Sequence, residues 1–93
     1  MENINLQYRS KVGFSFRHVK TSIEDLHDSK VNVAHAHPQF EIYYLISGNV
    51  NYHIAGQTYH VKKGEILLLN AFTSHLVEVL PNEDYERYVI EFN

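Results

Sequence analysis

Phe40-Glu-Ile-Tyr-Tyr-Leu-Ile-Ser-Gly48-Asn-Val-Asn-Tyr-His-Ile-Ala-Gly56-Gln-Thr-Tyr-His-Val-Lys-Lys-Gly64-Glu-Ile-Leu-Leu-Leu69 is the stretch that decides the fold. Its glycines recur every eight residues, at Gly48, Gly56 and Gly64, which is the turn rhythm of short consecutive strands. Between the turns, residues 40–47, 50–54, 58–61 and 65–69 are rich in Tyr, Ile, Val, Phe and Thr, side chains that suit a pleated surface. The turns Ser47-Gly48-Asn49, Ala55-Gly56-Gln57 and Lys62-Lys63-Gly64 supply residues that tolerate positive φ. Downstream, residues 75–80 and 85–92 read as two more strands around the polar tip Pro81-Asn82-Glu83-Asp84. Upstream, Phe14, Phe16 and His18 alternate with Ser15 and Arg17, and Val31, Val33 and His35 alternate again, as half-buried strands do. Thr21 and Glu24 have capping-box spacing and predict one short helical turn near residues 21–28. Residues 1–10 have no clear period and are expected to form a flexible arm.

About eight short antiparallel strands must hide their edges, and a small antiparallel β-barrel or double-sheet jelly roll does so. Ninety-three residues, 10.9 kDa, hold one core, so residues 1–93 are expected to form a single all-β domain. Both faces of 40–47 are apolar: Tyr43 and Leu45 on one side, Phe40, Ile42, Tyr44 and Ile46 on the other. One face belongs to the interior; the other calls for the N-terminal strands, a partner subunit or another domain.

At 44% apolar and 20% charged residues the chain can bury a modest core. The absence of cysteine excludes a disulfide staple, a thiolate zinc finger, an iron–sulfur cluster and a cysteine nucleophile. A net charge of −3 gives no basic footprint for nucleic acid. No apolar run approaches the roughly 20 residues needed to span a bilayer, and the N-terminus lacks a secretory pattern, so the expected location is cytoplasmic.

Seven histidines stand out. His35 and His37 share one face of a strand, with Cα atoms roughly 6.6 Å apart at ~3.3 Å per residue, so their rings can converge on one ion. Glu41 has the same parity, although Pro38 between them invites a bulge. His75 follows the loop 70–74 and would return a third imidazole. Three imidazoles and a carboxylate suit zinc, manganese, nickel or iron, as an accessory ion and not a required cofactor.

His35-Ala-His37, three residues, Glu41, six residues and Gly48 resemble the first cupin motif, H-x-H-x(3)-E-x(6)-G. The second, G-x(5)-P-x-G-x(2)-H-x(3)-N, is met in part by Gly64 and His75. Asn70 stands at the proline, Phe72 at the second glycine and Val79 at the asparagine, while Ser29 takes the place of the leading glycine of the first motif. Within cupins, residues 40–48 and 56–69 and the ending 85–92 look most like the sensor domain of AraC-type transcription regulators. Such regulators bind a small effector in the barrel and signal to a C-terminal pair of helix-turn-helix motifs. The resemblance therefore implies a non-enzymatic effector-sensing domain that reaches DNA only through a C-terminal helix-turn-helix domain outside these 93 residues, with the helices that commonly make such sensors homodimers also expected after residue 93. By position, His35, His37, Glu41, Tyr43, His75, Val77 and Arg87 would line the pocket for a small polar effector such as a sugar or small acid, with Tyr8 as a lid. The alternative is a stand-alone metal-dependent cupin enzyme, a dioxygenase or isomerase, using the same histidines.

Plainer roles compete for several of these side chains. His35, His37, Glu41 and His75 would also serve as a hydrogen-bonded patch without an ion. His53 and His60 read as ordinary strand residues, although His53 has the odd parity that would turn it to the pocket, and His18 and His27 read as exposed. Arg87 is either a surface ion-pair partner or a ligand anchor. The sequence offers no phosphate loop, no His-Glu-x-x-His, and no credible nucleophile triad.

Overall fold

The structure, a computed structural model, describes residues 3–26 and 36–93. It contains strands β1 (Ile4–Arg9), β2 (Phe14–Thr21), β3 (Phe40–Ser47), β4 (Asn49–Ile54), β5 (Gln57–Val61), β6 (Ile66–Leu69), β7 (His75–Leu80) and β8 (Tyr85–Phe92), with a single 3₁₀ turn at Ile23–Leu26. Two antiparallel sheets result, one of five strands ordered β1-β2-β8-β3-β6 and one of three ordered β5-β4-β7. Their inner faces meet: Tyr43, Leu45, Leu69, Tyr85 and Val89 from the first share one core with Val50, Tyr52 and Val61 from the second. This is the double-sheet jelly roll expected from the strand rhythm.

The turns follow from local chemistry. Gly48 alone joins β3 to β4 and carries the chain from one sheet to the other at φ 116°. A Cβ there would sit 3.1 Å from Cδ1 and 3.3 Å from Cα of Tyr85, so only glycine fits both the conformation and the space. Ala55 (φ 48°) and Gly56 (φ 83°) form the two-residue reversal between β4 and β5, where both central residues must take positive φ. The 3₁₀ turn begins one residue later than the Thr21–Glu24 spacing suggests. Ser22 supplies the carbonyl that accepts from the Asp25 N–H (2.9 Å), and its hydroxyl donates to the Asp25 carboxylate (3.2 Å). The expected strand over 31–35, and with it His27 and His35, lies outside the described residues.

Two expectations change. Ile4–Arg9, expected to belong to a flexible arm, is an edge strand paired along its length with β2. Its residues do alternate, Ile4, Leu6 and Tyr8 against Asn5, Gln7 and Arg9, although five of the six are exposed. The N-terminal strands also do not lie over the outer face of β3; they extend its sheet edge to edge through β8. That outer face carries two largely apolar rows across five strands. Tyr8, Phe16, Ile90, Ile42 and Leu68 are successive cross-strand partners, and Leu6, His18, Tyr88, Tyr44 and Ile66 form the next row. Ile66 and Leu68 are 63% and 72% exposed.

Candidate ligand cavity and metal centre

β3 projects Glu41, Tyr43 and Leu45 inward, a gradient from charged through polar to apolar along one strand face. Leu45 and Val50 are fully buried and close the apolar end. At the other end a cavity of about 160 Å³ opens, lined by Arg17, Glu41, Tyr43, Tyr52, His75, Val77, Tyr85, Arg87 and Val89. That volume is below the ~300–1,000 Å³ of drug-sized sites, so it suits a small guest.

Glu41, 5% exposed, is the hub of the polar end. Its Oε1 lies 3.3 Å from His37 Nε2 and 4.0 Å from His75 Nε2, and its Oε2 accepts from the Tyr52 hydroxyl at 3.3 Å. Both imidazoles direct Nδ1 to a backbone carbonyl, His37 to Gln39 (3.2 Å) and His75 to Thr73 (2.9 Å). A carbonyl can only accept, so Nδ1 carries a proton, and Nε2 is the ring atom turned toward Glu41. Backbone-anchored imidazoles of this tautomer are what a metal site requires of its ligands. The donor atoms of His37, Glu41 and His75 lie within 4.8 Å of one another, so this group could hold a metal ion. Glu91 adds a second carboxylate, its Oε2 3.3 Å from His37 Nε2.

The loop that returns His75 is tied to this group. The Phe72 N–H donates to the His37 carbonyl at 2.7 Å, and Phe72 adopts φ 62°. A non-glycine residue thus holds the left-handed conformation where the motif carries glycine.

Three tyrosines form the cavity floor. The Tyr43 and Tyr85 hydroxyls are 2.7 Å apart, and the Tyr43 and Tyr52 rings meet edge-on at 4.8 Å. Burial, reinforced by the neighbouring Tyr85, pushes the Tyr43 hydroxyl far above the usual phenol range. Burial and then the Glu41 carboxylate do the same to Tyr52. Burial also raises Tyr85, with Arg87 opposing. All three remain neutral hydroxyls at any physiological pH.

Of the side chains assigned to a pocket by position, Glu41, Tyr43, His75, Val77 and Arg87 line the cavity. His37 stands beside it with its ring against His75, centroids 5.1 Å apart. His35 lies outside the described residues. Tyr8 does not line the cavity: it sits on the outward row of β1, 59% exposed. His53 faces outward, contacting Thr58 Oγ1 (2.9 Å) and Glu78 (3.2 Å), because the crossing at Gly48 makes even positions the inward ones on β4. His18 is half-buried beneath Tyr88 and pairs with Glu86 at 2.6 Å, instead of standing exposed. Arg17, Tyr52, Tyr85 and Val89 also line the cavity and were not singled out by the sequence, where Tyr52 reads as strand packing. Tyr85 and Val89 share the parity of Arg87 on β8, and that signal could have found them; Arg17 needed the β2–β8 register.

A family model described as the AraC-like ligand-binding domain matches residues 13–93. No curated protein matches this chain. Among solved structures, a candidate mannose-6-phosphate isomerase from Ralstonia eutropha superposes with a TM-score of 0.78 at 14% identity, over 99% of this chain and 85% of that one. A cupin protein from Bacteroides fragilis gives 0.78 at 14%, covering 100% and 79%. An RmlC-like cupin with a double-stranded β-helix fold from Methanocaldococcus jannaschii gives 0.75 at 12%, covering 98% and 80%. At such identities these three share the fold with this chain, and the fold alone.

Proposed function

The chain belongs to the AraC-like ligand-binding domain family, and from that premise we propose that it is a non-enzymatic sensor which takes a small polar effector into the cavity and signals to a helix-turn-helix domain outside these residues. The observation that carries this reading is the cavity itself, where Glu41, His75, Tyr43, Tyr52 and Arg87 converge on one small space next to a closed apolar core. A sensor needs a guest that binds one state better than another, and a polar cavity against a rigid floor supplies the differential contacts. The test is thermal: a panel of small acids and sugars should include compounds that raise the melting temperature, whereas Tyr43→Trp, which fills the cavity, should abolish the rise. If no compound stabilises the protein, the sensor reading fails.

The enzyme reading is favoured by a different observation, the convergence of His37, Glu41 and His75. Imidazole nitrogens and a carboxylate suit zinc, manganese, nickel or iron, and such an ion would supply Lewis-acid chemistry. Measurable turnover by the metal-loaded chain, lost in Glu41→Gln, would establish that reading over the sensor.

A further inference from the structure

From the donors facing the cavity, we infer that its guest is a small carboxylate, gripped between Arg17 on β2 and Arg87 on β8. The inference rests on the sensor reading above and narrows it to one ligand class. Arg17 pairs with Val89 and Arg87 with Val19, so the two arginines are diagonal neighbours on the inner face of adjacent strands, and both line the cavity. The Arg87 guanidinium lies over the Tyr85 ring, 4.2 Å from its centroid. Among the described residues it has no ion pair and no side-chain hydrogen bond. Stacking on the ring fixes the guanidinium plane and leaves its N–H edge available to a two-oxygen acceptor. Arg17 meets Glu91 at 3.5 Å through Nη2, while its Nε is buried with no hydrogen-bond partner among the described residues.

The donor balance points the same way. Tyr43 and Tyr85 share one hydrogen bond, which consumes one hydroxyl proton and leaves the other to donate into the cavity. Glu41 is the one carboxylate among the described lining residues, and His37, His75 and Tyr52 already face it. The Arg87 guanidinium, the unpartnered Arg17 Nε–H and a free hydroxyl proton thus outnumber the acceptors that the described lining residues leave open. A sugar adds a further donor with every hydroxyl and carries no charge, whereas a carboxylate brings only acceptors and the opposite charge. The volume of about 160 Å³ restricts the class to short acids.

The experiment compares acetate, glycolate and succinate with acetamide, glycolamide and succinamide, which match them in shape but not in charge. Binding to the intact chain is followed through the Nε–H resonances of Arg17 and Arg87 and through melting temperature. At least one carboxylate is expected to shift both resonances and to bind at least ~10-fold more tightly than its amide. Arg87→Lys and Arg17→Lys should each remove that margin while leaving the melting temperature without ligand nearly unchanged. Amides or neutral sugars that bind as well as the acids, or an unaltered margin in both variants, would overturn the carboxylate assignment and leave the sensor reading standing. No binding by acids, amides or sugars would overturn both.

Discussion

The two ends of the barrel interior are built from the same strands and serve opposite purposes. Around Leu45 and Val50, both fully buried, the core side chains are apolar. Two to four residues along β3, at Tyr43 and Glu41, the same inner surface carries hydroxyls, a carboxylate, imidazoles and guanidinium groups around open space. Burial of carbon stabilises the first end, while the second keeps polar groups under cover at a cost offset only by their mutual hydrogen bonds. One end holds the sheets together, and the other can afford a guest because of it.

The largest way to break this division is Leu45→Ala. Removing a fully buried leucine side chain should lower unfolding free energy by about 2–5 kcal/mol in a urea titration, with no compensating effect at the polar end. A loss below ~1 kcal/mol would mean that the apolar end is not the core. His75→Ala should act in the other half: metal affinity should fall by at least the ~100-fold that loss of a ligand's outer partner can cost, with the far-ultraviolet spectrum unchanged. His37→Ala should behave alike. Unfolding of both variants would instead make these imidazoles part of the framework. For any bound ion, content measured by elemental analysis should be higher at about pH 8 than at about pH 5, since a histidine ligand must shed its proton.

Alkali probes the boundary between the two ends. Tyr43, Tyr52 and Tyr85 have hydroxyls raised above the phenol value of 10.0 by burial. The folded state therefore retains protons that the unfolded state gives up, so their contribution to stability is complete below ~10 and is lost as pH climbs above it. Spectrophotometric titration should show three of the seven tyrosines silent until the fold opens. Their early ionisation would mean that the cavity floor is wet. The smallest effect is a gain. Phe72 is 72% exposed and sits at φ 62°, so Phe72→Gly should relieve backbone strain and stabilise by about 0.5–1 kcal/mol, a shift of a few degrees in calorimetry.

Much of this was legible in the chain. The eight-residue glycine interval marked the strands from Phe40 to Leu69, and β-branched and aromatic residues made them pleated. Parity along β3 put Glu41, Tyr43 and Leu45 on one face, as observed. Parity misled at His53 because the one-residue crossing at Gly48 changes sheets and exchanges inward for outward positions. Ile4–Arg9 carries the same two-residue alternation, Ile4, Leu6 and Tyr8 against Asn5, Gln7 and Arg9, a strand signal that the expectation of a flexible arm passed over.

The sequence by itself determined the strands, their turns and the spacing of His37, Glu41 and Gly48, since these depend on φ preferences and on the two-residue period of a strand. Only the tertiary structure decided that Arg17 lies beside Arg87 and that His75 returns to Glu41. Those meetings are set by the register between strands distant along the chain. Register is fixed by which apolar faces can be buried together, a property of the whole barrel that no local stretch contains.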